Sequence, residues 1–265
     1  MAADGLGTDF AGRRALITGG GSGIGAATAA ALAAAGASVV LVGRRAEPLE
    51  RLAAKLGTEH GVDALPFPAD VVRPDQVNAA FRFAAAIGAP EIVVCAAGVA
   101  HAGKLENVSD DDVDRVLAVN VKGAWNVARA CVPAMKAAGY GRIVHVASTA
   151  GVRGYRYNAL YAASKHALCG FTRSLAAELL PSGVTVNAAC PGFVDTDLVD
   201  AAARDVAEKT GRTFEEAKQV LGAQNPLGRL VTPEEVAHAI LFLAAASSSA
   251  ISGVSLIVDG GTPHW

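Results

Sequence analysis

Short apolar runs alternate with segments of helical length along nearly the whole chain. The first two runs, Ala15–Ile17 and Val39–Val42, flank a segment of helical character from Ile24 to Ala35, which ends at Gly36. A strand, a helix and a second strand at this spacing predict a right-handed βαβ unit on a parallel sheet.

The same alternation continues toward the C-terminal end. Further strands are predicted near Ala64–Phe67, Ile92–Cys95, Ile143–Ala147, Val184–Ala188 and Ser255–Val258. Further helices are predicted near Ala46–Leu56, Asp75–Ile87, Asp111–Ala138, Leu160–Leu180 and Pro233–Ala245. About seven parallel strands with helices on both faces form a doubly wound α/β sheet of Rossmann type. With 265 residues, of which 52% are hydrophobic, residues 1–265 are predicted to form a single domain.

Charge and cysteine content argue against several classes of function. The net charge is -2 and the pI is near 6.3, so no broad basic field is available for nucleic acid or an anionic membrane. The first residues, MAADGLGTDFAGRR, lack the apolar run of a secretory signal. The uncharged stretch 15–43 contains seven glycines, so it is read as a buried strand, helix and strand rather than a membrane span.

The four cysteines, Cys95, Cys131, Cys169 and Cys190, are far apart and form no C-x-x-C pair. With no histidine at metal-binding spacing, no metal site is expected. Reduced thiols that pack as small apolar groups are typical of a cytoplasmic protein.

A glycine-rich turn separates the first predicted strand from its helix. Residues 18–25 read TGGGSGIG, with the spacing G-x-x-x-G-x-G from Gly19 to Gly25. Glycines allow a tight turn and a close approach of a pyrophosphate, and the helix N-terminus supplies free N–H groups. The turn therefore predicts a dinucleotide site, and a turn without a ligand is the alternative.

Three polar side chains with complementary chemistry occur between Ser148 and Lys165. Tyr161 and Lys165 are four residues apart in a predicted helix and so share one face of it. The ammonium is expected to lower the pKa of the phenol from about 10, and a value near 7 is within reach if a cationic cofactor lies nearby, which would make Tyr161 an acid or base at neutral pH. Ser148 would hold the reacting oxygen. A chance Tyr-x-x-x-Lys in an ordinary helix is the alternative.

The second strand ends at Gly43, and Arg44 and Arg45 follow it. A carboxylate at this point would bind the ribose diol of NAD, whereas an arginine suits the 2′-phosphate of NADP. The sequence therefore favours NADP(H), and NAD(H) stays possible if these arginines only meet Glu47 or Glu50 in solvent.

Taken together, these motifs resemble the short-chain dehydrogenase/reductase family from about Arg13 to Gly261. Further similar segments are Ala69–Val71, Val119–Gly123, Pro191–Thr196 and Val258–Gly261. The resemblance implies that Asn120 completes a catalytic tetrad with Ser148, Tyr161 and Lys165, by holding a water beside the lysine. One segment differs: residues 95–98 read CAAG, where the family usually has NNAG.

The resemblance also implies the residues that bind the cofactor. They are Gly19, Gly21, Ser22, Gly23, Ile24, Gly25, Arg44, Arg45, Asp70, Val71, Ala97, Gly98, Tyr161, Lys165, Pro191, Gly192, Val194 and Thr196. Asp70 would contact the adenine, and Pro191–Thr196 would line the nicotinamide. Ser22 stands where many NADP-using relatives have a basic residue.

Substrate contacts are predicted from Ser148, Val152, Arg153, Tyr155 and Tyr161. The segment 197–225 would form a lid over the substrate, with Leu198, Val199, Val206, Phe214 and Leu221 facing inward. His101 is interpreted as an exposed loop residue and His166 as structural or surface. Within the long helix, Asn120 and Pro133 are expected to loosen the backbone ladder.

The predicted activity is reversible hydride transfer between NADP(H) and a ketone, a 3-oxoacyl group or the corresponding secondary alcohol. One alternative is an NAD-dependent dehydrogenase of a hydroxy acid or hydroxyacyl-CoA. The other is a dinucleotide sensor without turnover. The family resemblance further implies a cytoplasmic homotetramer whose partner is a small molecule, not nucleic acid or membrane.

Overall fold

A computed structural model describes residues 10–261 of the chain. Its strands are β1 (Arg14–Thr18), β2 (Ser38–Gly43), β3 (Ala64–Pro68), β4 (Ile92–Cys95), β5 (Gly141–Val146), β6 (Val184–Pro191) and β7 (Ser255–Val258). Its helices are α1 (Gly23–Ala34), α2 (Ala46–His60), α3 (Pro74–Ala84), α4 (Asp110–Leu117), α5 (Ala124–Ala138), α6 (Ala159–Leu179), α7 (Asp197–Thr210), α8 (Phe214–Gly222) and α9 (Pro233–Ala244). The predicted seven strands are confirmed. The N-terminal stretch 1–9, part of the segment judged not to be a signal, lies outside the described residues.

The seven strands form one parallel sheet in the order β3-β2-β1-β4-β5-β6-β7. The chain builds outward from β1 to β3 and then crosses back, so β4 pairs with the other side of β1. At such a reversal, the loops after β1 and β4 diverge and leave a crevice at the carboxyl edge of the sheet. The fold therefore places residues 19–25 and 96–99 at one crevice.

Two apolar layers cover the sheet. One contains α1, α2 and α9 with alternate strand residues such as Ile17 and Val94, and the other contains α3, α5 and α6 with residues such as Leu16 and Val93. Successive strand residues point to opposite faces, which is why both faces need an apolar layer. The uncharged stretch 15–43 is β1, α1 and β2, as predicted. Within residues 10–261, no helix is long and apolar enough to cross a membrane.

The long predicted helix runs from Asp110 to Ala138 with one irregularity. A π-helical turn, Ala118–Gly123, joins α4 to α5 and contains Asn120. The predicted loosening at Asn120 is confirmed, whereas α5 continues through Pro133 to Ala138. Such π turns widen the helix by one residue and are frequent at functional sites.

Candidate active site

A cavity of about 380 Å³ occupies the crevice where the strand order reverses. The predicted cofactor residues that line it are Gly19, Gly21, Ser22, Gly23, Ile24, Gly25, Arg44, Arg45, Asp70, Val71, Ala97, Gly98 and Thr196. Residues that sequence reasoning missed, including Gly43, Pro48, Leu49, Val99 and Val119, also line it. Gly43 and Val99 could have been found from the sequence, because each is adjacent to a predicted cofactor residue, whereas Pro48, Leu49 and Val119 are brought to the cavity by the fold.

The glycine turn is shaped for close backbone packing. Gly19 has a φ of +69°, and a Cβ at this position would lie 2.8 Å from the backbone carbon of Ala96. The first turn of α1 has no side-chain cap at Ser22, whereas α8 and α9 each begin with a complete capping box. Free N–H groups and the positive end of the helix dipole therefore face the cavity, and this arrangement fits a pyrophosphate.

Arg44 and Arg45 line the same cavity and are exposed. Among residues 10–261, no carboxylate forms an ion pair with either arginine, and Glu47 pairs instead with Arg51 at 3.0 Å. Asp70 also lines the cavity, and its Oδ1 accepts a hydrogen bond from the Val72 N–H at 3.1 Å. The two cations are thus free to meet an anionic group of a bound molecule.

Ser148, Tyr161 and Lys165 are brought together where β5 ends and α6 begins. Ser148 Oγ accepts from the Ala150 N–H at 3.1 Å and donates to the Pro191 carbonyl at 3.5 Å. Lys165 Nζ donates to the Val146 carbonyl at 2.9 Å and lies 5.7 Å from the centre of the Tyr161 ring. The hydroxyl, phenol and amine therefore form one cluster at the carboxyl edge of the sheet.

Gly98 links this cluster to the cavity. A Cβ on Gly98 would lie 3.4 Å from Asn120 Oδ1 and 3.5 Å from Lys165 Nζ. Asn120 is 2% exposed; its Oδ1 accepts from the Val99 N–H, and its Nδ2 donates to the Val99 carbonyl, both at 2.9 Å. Asn120 Nδ2 also donates to Ser164 Oγ at 3.0 Å. The side chain of Asn120 thus fixes the loop after β4 beside the lysine.

The predicted nicotinamide segment, Pro191–Thr196, is buried at its beginning and lines the cavity at its end. Pro191 and Val194 are buried, and Gly192 is so close to Asn225 and Asp259 that a Cβ would lie 2.7 Å from Asn225 Oδ1. Thr196 lines the cavity, and its Cγ2 is 3.1 Å from the position of a Cβ on Gly23. The segment therefore closes against the glycine turn from the opposite side.

The predicted lid consists of α7 and α8, which pack on each other. Val199 and Leu221 are buried in a separate apolar cluster with Val206 and Phe214, so the expectation that these side chains face the cleft is wrong. Leu198 lines the cavity. The apolar residues at helical spacing are buried here between two helices. The same spacing would also occur in a helix whose apolar face contacts a ligand, so the sequence alone does not distinguish the two cases.

Comparison with known proteins gives a family for this arrangement. A family model described as Enoyl-(Acyl carrier protein) reductase matches residues 19–263. The chain belongs to the short-chain dehydrogenase/reductase family. It is accordingly an NAD(P)-dependent oxidoreductase with a Rossmann fold.

Several relatives in the short-chain dehydrogenase/reductase family align over nearly their whole length. The chain is 35% identical to a D-beta-hydroxybutyrate dehydrogenase of Rhizobium meliloti, over 94% of this chain and 98% of that protein. It is 38% identical to a cis-4-hydroxycyclohexanecarboxylate dehydrogenase of Sinomonas cyclohexanicum, over 97% and 98%. A crystal structure of L-sorbose reductase from Gluconobacter frateurii with NADPH and L-sorbose superposes with a TM-score of 0.89 at 32% identity, covering 95% and 96%.

The expected lowering of the Tyr161 pKa in this short-chain dehydrogenase/reductase is wrong for the chain itself. Burial raises the pKa of Tyr161 to about 12, although the Ser148 hydroxyl beside the phenol acts to lower it. Burial likewise lowers the pKa of Lys165 to about 8, and its Nζ is directed at the Val146 carbonyl. Desolvation disfavours both charged forms, and this effect outweighs the attraction expected from the spacing of the two residues.

The predictions for His166 and His101 have different outcomes. His166 is exposed, in agreement with the expectation that it is structural or surface, and its Nδ1 lies 2.9 Å from the Ala162 carbonyl. His101 was expected to be exposed, but its side chain is 16% exposed and its Nε2 lies 3.7 Å from Asp112 Oδ2. The start of α4 packs over the loop after β4, which the sequence did not indicate.

Within residues 10–261, no group of three or more His, Cys, Asp or Glu side chains is arranged to hold a metal ion. All four cysteines are free and buried, as predicted. Cys95, in the segment that differs from the family pattern, belongs to the apolar layer around α5.

Proposed function

We propose that this enzyme catalyses reversible hydride transfer between NADP(H) and a ketone, a 3-oxoacyl group or the corresponding secondary alcohol. The observation that carries the proposal is the cluster of Ser148, Tyr161 and Lys165 beside Gly98, at the end of a cavity lined by the glycine turn. A bound nicotinamide cofactor supplies or accepts the hydride. Its pyrophosphate would lie at the N-terminus of α1, and Asp70 and Thr196 would contact its two ends.

The chain's own residues handle the proton. With a pKa of about 12, the Tyr161 phenol is protonated at neutral pH and can donate to the carbonyl oxygen of a ketone. Ser148 donates a hydrogen bond to that oxygen. A protonated Lys165 stabilises the phenolate that remains, and Asn120 holds the Val99 loop that borders the amine.

The assay for this assignment is reduction of a ketone panel by Tyr161→Phe. We expect kcat to fall by roughly 10²- to 10⁴-fold, because the proton donor is lost, with cofactor affinity unchanged. Tyr157→Phe is the matched control, since Tyr157 is exposed in the same region. A Tyr161→Phe enzyme with normal kcat would reject the assignment.

The preference for NADP(H) rests on Arg44 and Arg45, which line the cavity without an acidic partner among the described residues. A guanidinium next to a 2′-phosphate forms charge-assisted hydrogen bonds worth about 1.5–3 kcal/mol. We expect the double variant Arg44→Gln/Arg45→Gln to raise KM for NADP(H) roughly 10- to 100-fold and to leave KM for NAD(H) unchanged.

Arg51→Gln is the control for this experiment, because Arg51 is exposed on α2 and already paired with Glu47. A wild-type kcat/KM that is equal or higher with NAD(H) would contradict the NADP(H) proposal.

Two relatives support a second candidate, an NAD-linked dehydrogenase of hydroxy acids or hydroxyacyl-CoA. They are the D-beta-hydroxybutyrate and cis-4-hydroxycyclohexanecarboxylate dehydrogenases, whose named substrates both combine a hydroxyl group with a carboxylate. Oxidation of such acids with NAD and NADP in parallel distinguishes the candidates. A protein that binds dinucleotide but transfers no hydride in either direction would instead be a sensor.

We also propose that residues 1–265 act as one domain with a substrate lid at 197–225, assembled as a cytoplasmic homotetramer. Free cysteines suit a reducing compartment. The lid proposal is supported by Asp197 and Leu198, the first residues of the segment, which line the cavity. Light scattering after size-exclusion chromatography tests the tetramer, and a monomer mass would contradict it.

A further inference from the structure

Two arginines follow Ser148 in the loop before α6, and they differ in their surroundings. Arg156 is exposed, with its guanidinium carbon 4.7 Å from the centre of the Tyr157 ring. Arg153 is partly buried, with its guanidinium carbon 4.5 Å from the centre of the Tyr155 ring. Its Nε is shielded from solvent, and no described residue accepts a hydrogen bond from it.

Arg153 is tied to the residue next to the catalytic serine in two ways. Its backbone N–H donates to the Thr149 carbonyl at 3.0 Å. Its side chain stacks on Tyr155, whose hydroxyl donates to Thr149 Oγ1 at 2.8 Å. Because Tyr155 is held at both its ring and its hydroxyl, it fixes the Arg153 guanidinium over its ring.

In the described part of the chain, no carboxylate neutralises this guanidinium. Among residues 10–261, no Asp or Glu forms an ion pair with Arg153. The surrounding sequence is also unusual: residues 115–177, which include the catalytic cluster, contain nine Lys and Arg and no Asp or Glu. The segment 115–177 therefore supplies no carboxylate of its own to pair with Arg153.

A shielded guanidinium N–H without an acceptor is costly, so an acceptor from a bound molecule would stabilise it. The planar fork of a guanidinium matches a carboxylate, to which it donates two parallel hydrogen bonds. We propose that Arg153 is a specificity residue that binds the carboxylate of an oxo acid or hydroxy acid substrate, with Tyr155 as its positioning residue. This inference rests on the proposed hydride-transfer function and names its substrate class.

The test compares each oxo acid with its own methyl ester, so that only the negative charge differs. Suitable pairs are 3-oxobutanoate and 4-oxocyclohexanecarboxylate, each with its methyl ester. A third substrate, 3-oxobutanoyl-CoA, has no free carboxylate and carries its negative charge on phosphate groups instead. We expect Arg153→Gln to raise KM for the acids roughly 10- to 100-fold, with less than about threefold change for the esters. Arg153→Lys keeps the charge but not the fork, so it should recover part of the loss.

Arg156→Gln is the matched control, because it removes a neighbouring arginine that also stacks on a tyrosine, and it should leave the acid-to-ester ratio unchanged. Retained ester reduction by Arg153→Gln shows that the variant is folded. The inference is overturned if Arg153→Gln affects acids and esters equally, affects neither, or affects only the CoA thioester. If the proposed hydride-transfer function itself is wrong, the wild-type enzyme will transfer no hydride to any acid, ester or thioester. That result would overturn both the proposed function and the role of Arg153, and it differs from every outcome above.

Discussion

Acid sensitivity is expected from His145, a fully buried residue of β5. Its Nδ1 lies 2.8 Å from Thr172 Oγ1, and that hydroxyl donates its own proton to the Leu168 carbonyl. Nδ1 must therefore carry the proton that reaches Thr172, so His145 Nε2 is an unprotonated atom. This atom is buried and has no hydrogen-bond partner among residues 10–261. Protonating this ring would place a charge where neither water nor an acceptor can meet it.

The size of the effect follows from the pKa. Burial, with a contribution from the charge of Lys165, lowers the pKa of His145 from 6.5 to about 4. The unfolded chain then takes up the proton at higher pH than the folded one. The stability contribution is fully present above pH 6.5, is lost as pH falls from 6.5 to 4, and changes little below that. This window corresponds to about 3 kcal/mol, a sizeable part of a typical folding free energy of about 5–15 kcal/mol.

The measurement is the free energy of unfolding from urea titrations of wild type, His145→Phe and His166→Gln at pH 7 and pH 4.5. For each variant, the difference between the free energies of unfolding at the two pH values removes the pH-independent cost of packing phenylalanine in place of histidine. The wild type and His166→Gln should each lose about 2.5 kcal/mol more than His145→Phe over this interval. Equal losses in wild type and His145→Phe would show that the ring is accessible to protons and would refute the reasoning.

Two further predictions use matched variants. Gly19→Ala should weaken cofactor binding and lower stability more than Gly61→Ala, because both residues have positive φ but only Gly19 meets backbone atoms within 3 Å; equal effects in fluorescence titration and thermal unfolding would contradict this. Lys218 of α8 holds Asp195 at 2.6 Å and Asp200 of α7 at 2.9 Å, so Lys218→Gln should raise KM severalfold and speed proteolysis of the lid. Lys209→Gln breaks an ion pair within α7 and should change neither KM nor the rate of proteolysis. If Lys218→Gln also leaves both quantities unchanged, Lys218 does not hold the segment in place.

Much of the fold was readable from local pattern. A buried parallel strand needs a continuous apolar run, and a crossover helix needs an amphipathic or alanine-rich segment, so β1, α1 and β2 could be placed from the order of these segments in the sequence. The glycine turn was also readable, because the backbone conformation at Gly19 requires a residue without a Cβ.

Electrostatics and packing partners were not readable in the same way. The spacing of Tyr161 and Lys165 correctly placed them on one helix face, yet it gave the wrong direction for the Tyr161 pKa. Spacing measures proximity along one helix, whereas the pKa depends on how much water the whole fold removes from the phenol. The apolar residues of 197–225 were ambiguous for a related reason, since they pack helix against helix.

The sequence by itself determined the alternation of strands and helices, the glycine turn, and the residue types of the cluster formed by Ser148, Tyr161 and Lys165. These properties depend on near neighbours in the chain. Only the tertiary structure decided that Gly98 borders both Asn120 and Lys165, that the Arg153 guanidinium has no acidic partner among the described residues, and that His145 is buried and neutral. Each of these depends on which distant segments exclude water from one point, and a linear pattern does not contain that information.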